Sequence, residues 1–203
     1  MKSSQILVLF DFDGTITSRD TLFAFAEFIS GRLHFLFGLF VLSPILIGNR
    51  LRLVSAQRAK EAFLTYYFRG LDLNDFNERC TEFALVFLNE HIRLEALSAI
   101  QNYSTNDVRM VIVSASPENW IIPWAQRYNI EVISTRLEVQ DGKLTGKLKG
   151  KNCNNEEKAA RILQEIDLSK YSKIIAYGDS AGDQAMFSLA NETHFKPFRG
   201  NNG

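Results

Sequence analysis

The sequence carries no surplus of either charge: Lys and Arg together number 23, as do Asp and Glu, so the net charge is zero at neutral pH. Without a basic field to draw in a phosphate backbone, a nucleic-acid partner is not expected. Cysteine is nearly absent. Cys80 and Cys153 are the two present, with no CxxC or metal-ligand spacing. They read as reduced thiols, one of them buried, in a cytoplasmic protein. No internal repeat and no low-complexity tract occurs. Nor is a secretory signal expected, because the apolar run after Met1-Lys2-Ser3-Ser4-Gln5 is too short for one. What the chain does have is apolar bulk. Its 203 residues are 46% hydrophobic, ample for one large domain or for a core with a smaller inserted unit.

The chain is organised around Ile6-Leu7-Val8-Leu9-Phe10-Asp11-Phe12-Asp13-Gly14-Thr15-Ile16-Thr17. An apolar run of this length reads as a buried strand, and it ends in two carboxylates one residue apart. With the period of 2 of a strand, Asp11 and Asp13 start on one side, roughly 6–7 Å apart. Gly14 turns the chain at once, which places both acids at the carboxyl end of the strand, where ligands bind in open α/β sheets. Two carboxylates there repel each other, and a divalent cation neutralises them most simply. A surface turn is the duller reading, but surface turns are not usually fed by five apolar residues.

From Asp20 onward the pattern is helical. Ser18 or Asp20 can cap a helix bearing Leu22, Phe25, Ala26 and Ile29, which Gly31 ends. Leu33–Gly48 is almost continuously apolar between Arg32 and Arg50. It is shorter than a bilayer span, and Pro44 would kink it. A buried or pocket-lining helix hairpin is the expected form. A transmembrane helix and a membrane-touching surface are the alternatives, and membrane contact is not favoured. Further helices cover about 50–68 and a stretch from Asp72 or Asn74 to Phe87. Residues 19–87 therefore read as an inserted all-helical unit, with 1–18 and 88–203 as the core.

The core alternates. A helix over about 90–103 precedes a buried strand at 108–114. Ser116-Pro117-Glu118 opens a helix, and 131–134 is a short strand. A hairpin with an Asp141-Gly142 turn covers 136–146. Asn154–Lys158 starts a helix to about Ile166. A strand at 173–178 leads through Asp179–Asp183 into another helix, and Thr193–Phe195 reads as an edge strand. The last residues, after Pro197, look polar and flexible. Such alternation means an α/β fold: a Rossmann-like parallel sheet with helices on both faces. Its strand ends bring Asp11 and Asp13, Ser114, and Asp179 with Asp183 to one edge. Each has a duller role as cap or turn; their coincidence does not.

These motifs, DFDGTIT (11–17), VIVSAS (111–116), Lys158 in NNEEK and GDSAGD (178–183), resemble the haloacid dehalogenase superfamily in its phosphoserine-phosphatase-like branch. They stand in the family order, and the helical insertion falls where that branch carries a small cap. The resemblance implies a Mg²⁺-dependent phosphomonoester hydrolase acting through an aspartyl-phosphate. Asp11 would be the nucleophile and Asp13 the general acid and base. The metal would be held by Asp11, Asp13 through its carbonyl, and Asp179, with Asp183 in or near the next layer orienting Lys158 or a metal-bound water. Ser114 and Lys158 would hold the phosphoryl oxygens, with amides near Gly14 and Ala115 adding donors. Dehalogenases of the superfamily lack an acid equivalent to Asp13.

The resemblance also implies substrate contacts at Thr15, Asp20, Ser114, Ala115 and Lys60, and here the sequence departs from the branch. Ala115 replaces a glycine, Gly182 an asparagine, and Asp20 an acid one methylene longer. The cap arginine has only Lys60 or Arg58 as a loose counterpart. Helix capping is an equal reading for Asp20, and a solvated helix face is the expected one for Lys60. Phosphoserine is therefore not assigned; a small polar phosphate or a hydrophobic or lipid phosphate remains open. The alternative function is a non-catalytic binding or membrane-associated module that keeps the fold.

Overall fold

A computed structural model describes residues 5–104 and 107–199. Its strands are β1 (Ile6–Phe10), β2 (Val108–Pro117), β3 (Glu131–Thr135), β4 (Leu137–Gln140), β5 (Lys143–Leu148), β6 (Lys173–Gly178) and β7 (Glu192–Phe195). The helices are α1 (Thr21–Ser30), α2 (Arg32–Arg50), α3 (Ala56–Phe68), α4 (Leu73–Glu82), α5 (Leu94–Asn102), α6 (Glu118–Ala125), α7 (Glu156–Glu165) and α8 (Gln184–Phe187). Among the described residues β3-β2-β1-β6-β7 is a wholly parallel sheet, and β4-β5 is a separate antiparallel hairpin.

Both faces of the sheet are buried, which is why its central strands are unbroken apolar runs rather than alternating ones. Val8, Phe10, Met110, Ile112 and Ile175 face one side, in a core that continues through Phe25, Phe63, Phe68, Phe76 and Trp120 into the helices. Leu7, Leu9, Val111, Val113 and Ala176 face the other side, against Ile162 of α7 and Met186 of α8. The chain leaves the sheet for α1–α4 at 16–18 and returns at 91–93. The two passages run side by side: the Ser18 N–H donates to the His91 carbonyl at 2.7 Å, and the Arg93 N–H to the Ile16 carbonyl at 2.9 Å.

Several elements differ from the sequence reading. Leu33–Gly48 is no hairpin but part of one helix of 19 residues that carries Pro44 inside it. Proline removes the bond to the Phe40 carbonyl, and Ser43 Oγ donates to that oxygen instead at 2.7 Å, so the helix continues. The outer face of α2 is exposed, not buried. The helix expected to reach Phe87 ends at Glu82 and passes into wider and tighter turns over 83–91, so α5 begins at Leu94. β2 runs on to Pro117, which leaves Ser116 on the strand rather than at a helix cap. The hairpin turn is as expected, with Asp141 and Gly142 at φ 51° and 75°. Both cysteines are buried and free. Nor is the end of the described chain loose: Phe198 is buried, its ring stacked on Tyr177 with centroids 5.2 Å apart.

Candidate active site

β1 is the strand at which the sheet order reverses, with β2 on one side and β6 on the other, and the carboxyl end of such a strand is where ligands bind in open α/β sheets. Asp11 is the first residue past β1, and its N–H donates to the Tyr177 carbonyl of β6 at 2.8 Å. Gly14 then turns the loop with φ +80°, and a Cβ on it would lie 2.5 Å from Asp179 Oδ2. Glycine therefore serves twice here: it adopts the left-handed backbone, and it lets the Asp11 loop lie against the Asp179 carboxylate.

Asp11 is only 6% exposed. Lys158 Nζ donates to its Oδ1 at 2.5 Å, and Thr15 Oγ1 donates to its Oδ2 at 3.0 Å. The same ammonium donates to Asp183 Oδ1 at 2.7 Å. A lysine in the first turn of α7 opposes the helix dipole; these two buried carboxylates are what hold it there. The second oxygen of Asp183 accepts from the Asp179 N–H at 3.1 Å and from the N–H and Oγ of Ser180, both at 3.0 Å. Asp183 thus fixes both Lys158 and the loop after β6.

The charges do not balance. Desolvation pulls Lys158 down, but Asp11 and Asp183 outweigh it and hold the ammonium above its ordinary pKa. Desolvation raises Asp11 to about 7; Lys158 opposes this and Asp183 adds to it. Asp179 is likewise pushed up by desolvation and then by Asp183, with Arg199 opposing. Surplus negative charge on hard oxygens is what a small divalent cation relieves. Asp11, Asp179 and Asp183 offer oxygens that all lie within 4.8 Å of one another, so the donor set fits such an ion.

Asp13 lies on the loop rather than the strand, and its carboxylate is turned to α1 and β2. Its Oδ1 accepts from the Thr21 N–H at 2.7 Å and its Oδ2 from Ser116 Oγ at 2.6 Å. Trp120 Nε1 donates to Thr21 Oγ1 at 2.9 Å, and that hydroxyl lies 3.3 Å from Ser116 Oγ. Asp13 therefore rests on a relay drawn from α1, β2 and α6. Ser114 is wholly buried, and its Oγ accepts from the Ser116 N–H at 3.0 Å.

Lys60 is not on a solvated face. It reaches from α3 to the β2 loop, where Nζ donates to the Ala115 carbonyl at 2.8 Å and to Asn152 Oδ1 at 2.9 Å. Desolvation lowers it to about 8, against the charges of Asp13 and Asp20. Asp20 does cap α1, accepting from the N–H groups of Leu22 and Phe23 at 3.0 and 3.2 Å. Much of its surface is open to solvent, yet desolvation of the carboxyl and then the charge of Asp13 raise it to about 6. Gly182 is explained by Asn154, whose side chain fills the space that a side chain at 182 would need.

The strand ends bring Asp11 and Asp13, Ser114, and Asp179 with Asp183 to one sheet edge, and the resemblance adds Thr15 and Lys158. The structure joins Asp11, Thr15, Lys158 and Asp183 by hydrogen bonds with Asp179 beside them, and links Asp13 and Ser114 through Ser116. The sequence reading passed over Thr21, Trp120, Asn152 and Arg199, and it took Ser116 for a helix cap. Arg199 Nη2 donates to Asp179 Oδ2 at 2.7 Å, from a stretch that read as a polar tail. None of these residues carries a pattern that sets it apart from a cap or a surface position; only the fold brings them in.

A family model described as haloacid dehalogenase-like hydrolase matches residues 8–188. Protein CicA of Caulobacter vibrioides (strain NA1000 / CB15N) is 33% identical over 207 residues, covering 98% of this chain and 90% of its own. A Bordetella pertussis Tohama I protein of unknown function shares the fold, with TM-score 0.82 at 19% identity over 94% of this chain and 89% of its own. So does a phosphoserine phosphatase solved as a phospho-aspartyl intermediate analogue, with TM-score 0.65 at 18% identity over 94% and 85%. The chain belongs to the haloacid dehalogenase-like hydrolase family, with the fold of its phosphoserine-phosphatase-like branch.

Proposed function

We propose that this chain hydrolyses phosphomonoesters by way of an aspartyl-phosphate on Asp11, with Mg²⁺ as cofactor. The observation that carries the reading is the Lys158 ammonium shared by Asp11 and Asp183 at the switch point of the sheet. It sets a cation beside a buried carboxylate where a phosphoryl group would arrive. Mg²⁺ would be held by the Asp11 carboxylate, the Asp13 carbonyl and Asp179, with Asp183 fixing Lys158 behind them. When bound it supplies the charge neutralisation that lets an anionic carboxylate approach an anionic phosphate.

In the first step an Asp11 oxygen forms a bond to phosphorus, the bond from phosphorus to the alcohol oxygen breaks, and Asp13 gives that oxygen its proton. In the second, Asp13 takes a proton from water, whose oxygen attacks phosphorus and releases Asp11. Ser114, Lys158 and the Thr15 hydroxyl hold phosphoryl oxygens as their charge spreads. Residues 19–87 act as a cap over the core of 1–18 and 88–203, swinging on the paired passages at 16–18 and 91–93 and excluding water when closed. Lys60, anchored on the Ala115 carbonyl, latches the cap, and with Asp20 it faces the alcohol part of the ester. The free, buried thiols suit the cytoplasm. The test is hydrolysis of p-nitrophenyl phosphate with and without Mg²⁺. Wild type should turn over only with the metal, and Asp11→Asn should fall to background. Equal turnover by Asp11→Asn would refute the proposal.

A further inference from the structure

α2 buries one side and shows the other to water. On the inner side Phe35, Gly38 and Leu42 are buried. There Tyr67 Oη donates to the Phe35 carbonyl at 2.6 Å, and a side chain at Gly38 would collide with Tyr66 and Tyr67. On the outer side Leu33, Leu36, Phe37, Phe40, Val41 and Ile47 recur at helical spacing, and all are exposed, Leu33 at 85% and Phe40 at 75%. A continuous apolar row of this kind marks a surface that meets something less polar than water.

The charges around the row say what it meets. No Asp or Glu stands between Glu27 and Glu61, yet Arg32, Arg50, Arg52, Arg58 and Lys60 do, in a chain of zero net charge. Lys60 turns inward to Ala115. The four arginines are exposed, and none has an ion-pair partner among the described residues. Arg32 and Arg50 begin and end α2, about five turns apart, and so fall along the same edge of the row. A convex ridge of Leu and Phe side chains offers no groove to a folded partner, whereas a fluid surface moulds itself to one.

We propose that α2 lies flat on an anionic lipid bilayer, its outer row at the acyl boundary and its flanking arginines on lipid phosphates. α2 is long and apolar enough to cross a membrane. Its inner face excludes that: spanning would strip Phe35, Gly38 and Leu42 from Tyr66 and Tyr67 and uncover the Phe23–Phe63 ring pair, whose centroids are 5.0 Å apart. The docking needs no substrate and stands apart from the chemistry of the crevice.

Flotation of the full chain with vesicles tests it. Vesicles of phosphatidylcholine mixed with phosphatidylglycerol should carry the protein, and pure phosphatidylcholine should carry little. High salt should release it. Arg32→Gln and Arg50→Gln should each weaken binding about fivefold, the contribution of one basic residue near an anionic surface. Phe37→Asp with Phe40→Asp should abolish flotation while leaving the circular-dichroism melt unchanged, since both side chains point outward. No binding to mixed vesicles would overturn the proposal, as would equal binding to neutral ones. Protein that resists alkaline carbonate would mean insertion instead. A dimer dispersed by the double Phe variant, without vesicle binding, would assign the row to a second copy.

Discussion

Ser116 and the Thr21 N–H hold the two oxygens of Asp13 at 2.6 and 2.7 Å, which aims a carboxylate carried on a loop. A general acid works only from a fixed place, so Ser116 acts as a positioning residue for Asp13. Ser116→Ala removes one hydrogen bond of about 1 kcal/mol, and kcat should fall roughly fivefold with KM little changed. Ser116→Thr, which keeps the hydroxyl, should restore most of it; steady-state kinetics on p-nitrophenyl phosphate read both. Asp11 supplies a second test at this scale. Its pKa is raised to about 7 without metal, so its contribution to stability is complete below the ordinary aspartate range and is lost as pH rises through 7. The metal-free protein should therefore melt at lower temperature at pH 8 than at pH 5. Mg²⁺, which favours the ionised form, should flatten that slope, and so should Asp11→Asn. Calorimetry across the range decides it. Asp11, Lys158, Asp179 and Asp183 were legible in the sequence because each sits at a strand end or helix start in a charged motif. Ser116, Thr21 and Arg199 were not, because a hydroxyl or a guanidinium in a polar stretch has many uses.

Among the elements, α1 ties the helical segment to the sheet. Phe25 is fully buried, its ring stacked on Trp120 of α6 at 4.8 Å and edge-on to Phe68 and Phe76 at 5.6 and 5.4 Å. Phe25→Ala leaves a cavity where four helices meet and should cost about 3–5 kcal/mol, lowering the melting temperature by roughly 6–20 °C. Differential scanning calorimetry checks this, and an unchanged melt would mean that the segment stands independently of α6. Parallel strands and their following helices were readable from apolar runs and glycine stops. α2 was not, because a Pro inside an apolar stretch reads as a break; the Ser43 hydroxyl, which takes over the Phe40 carbonyl, is a contact that periodicity does not carry. The boundary near residue 83 was missed for a similar reason, since α4 runs on into turns without a glycine or proline to mark the change.

At the scale of the whole molecule, two charge imbalances sit in a chain whose total is zero. One is negative and largely buried, where Asp11, Asp179 and Asp183 outnumber Lys158 and Arg199; the other is positive and exposed, around α2. The first predicts a cation and a phosphoryl group, the second an anionic surface. The central claim is that phosphorus passes through Asp11, and the phosphoenzyme itself is the direct measurement. p-Nitrophenolate leaves without needing a proton, so Asp13→Asn should still be phosphorylated but lack the base that activates water. After mixing this variant with p-nitrophenyl phosphate and Mg²⁺ and quenching in acid, peptide mass spectrometry should find one phosphoryl group on the peptide bearing Asp11, absent when Asp11 is also Asn. Turnover by wild type with no phosphoryl group on Asp11 in the stalled variant, or with one on another residue, would contradict the account.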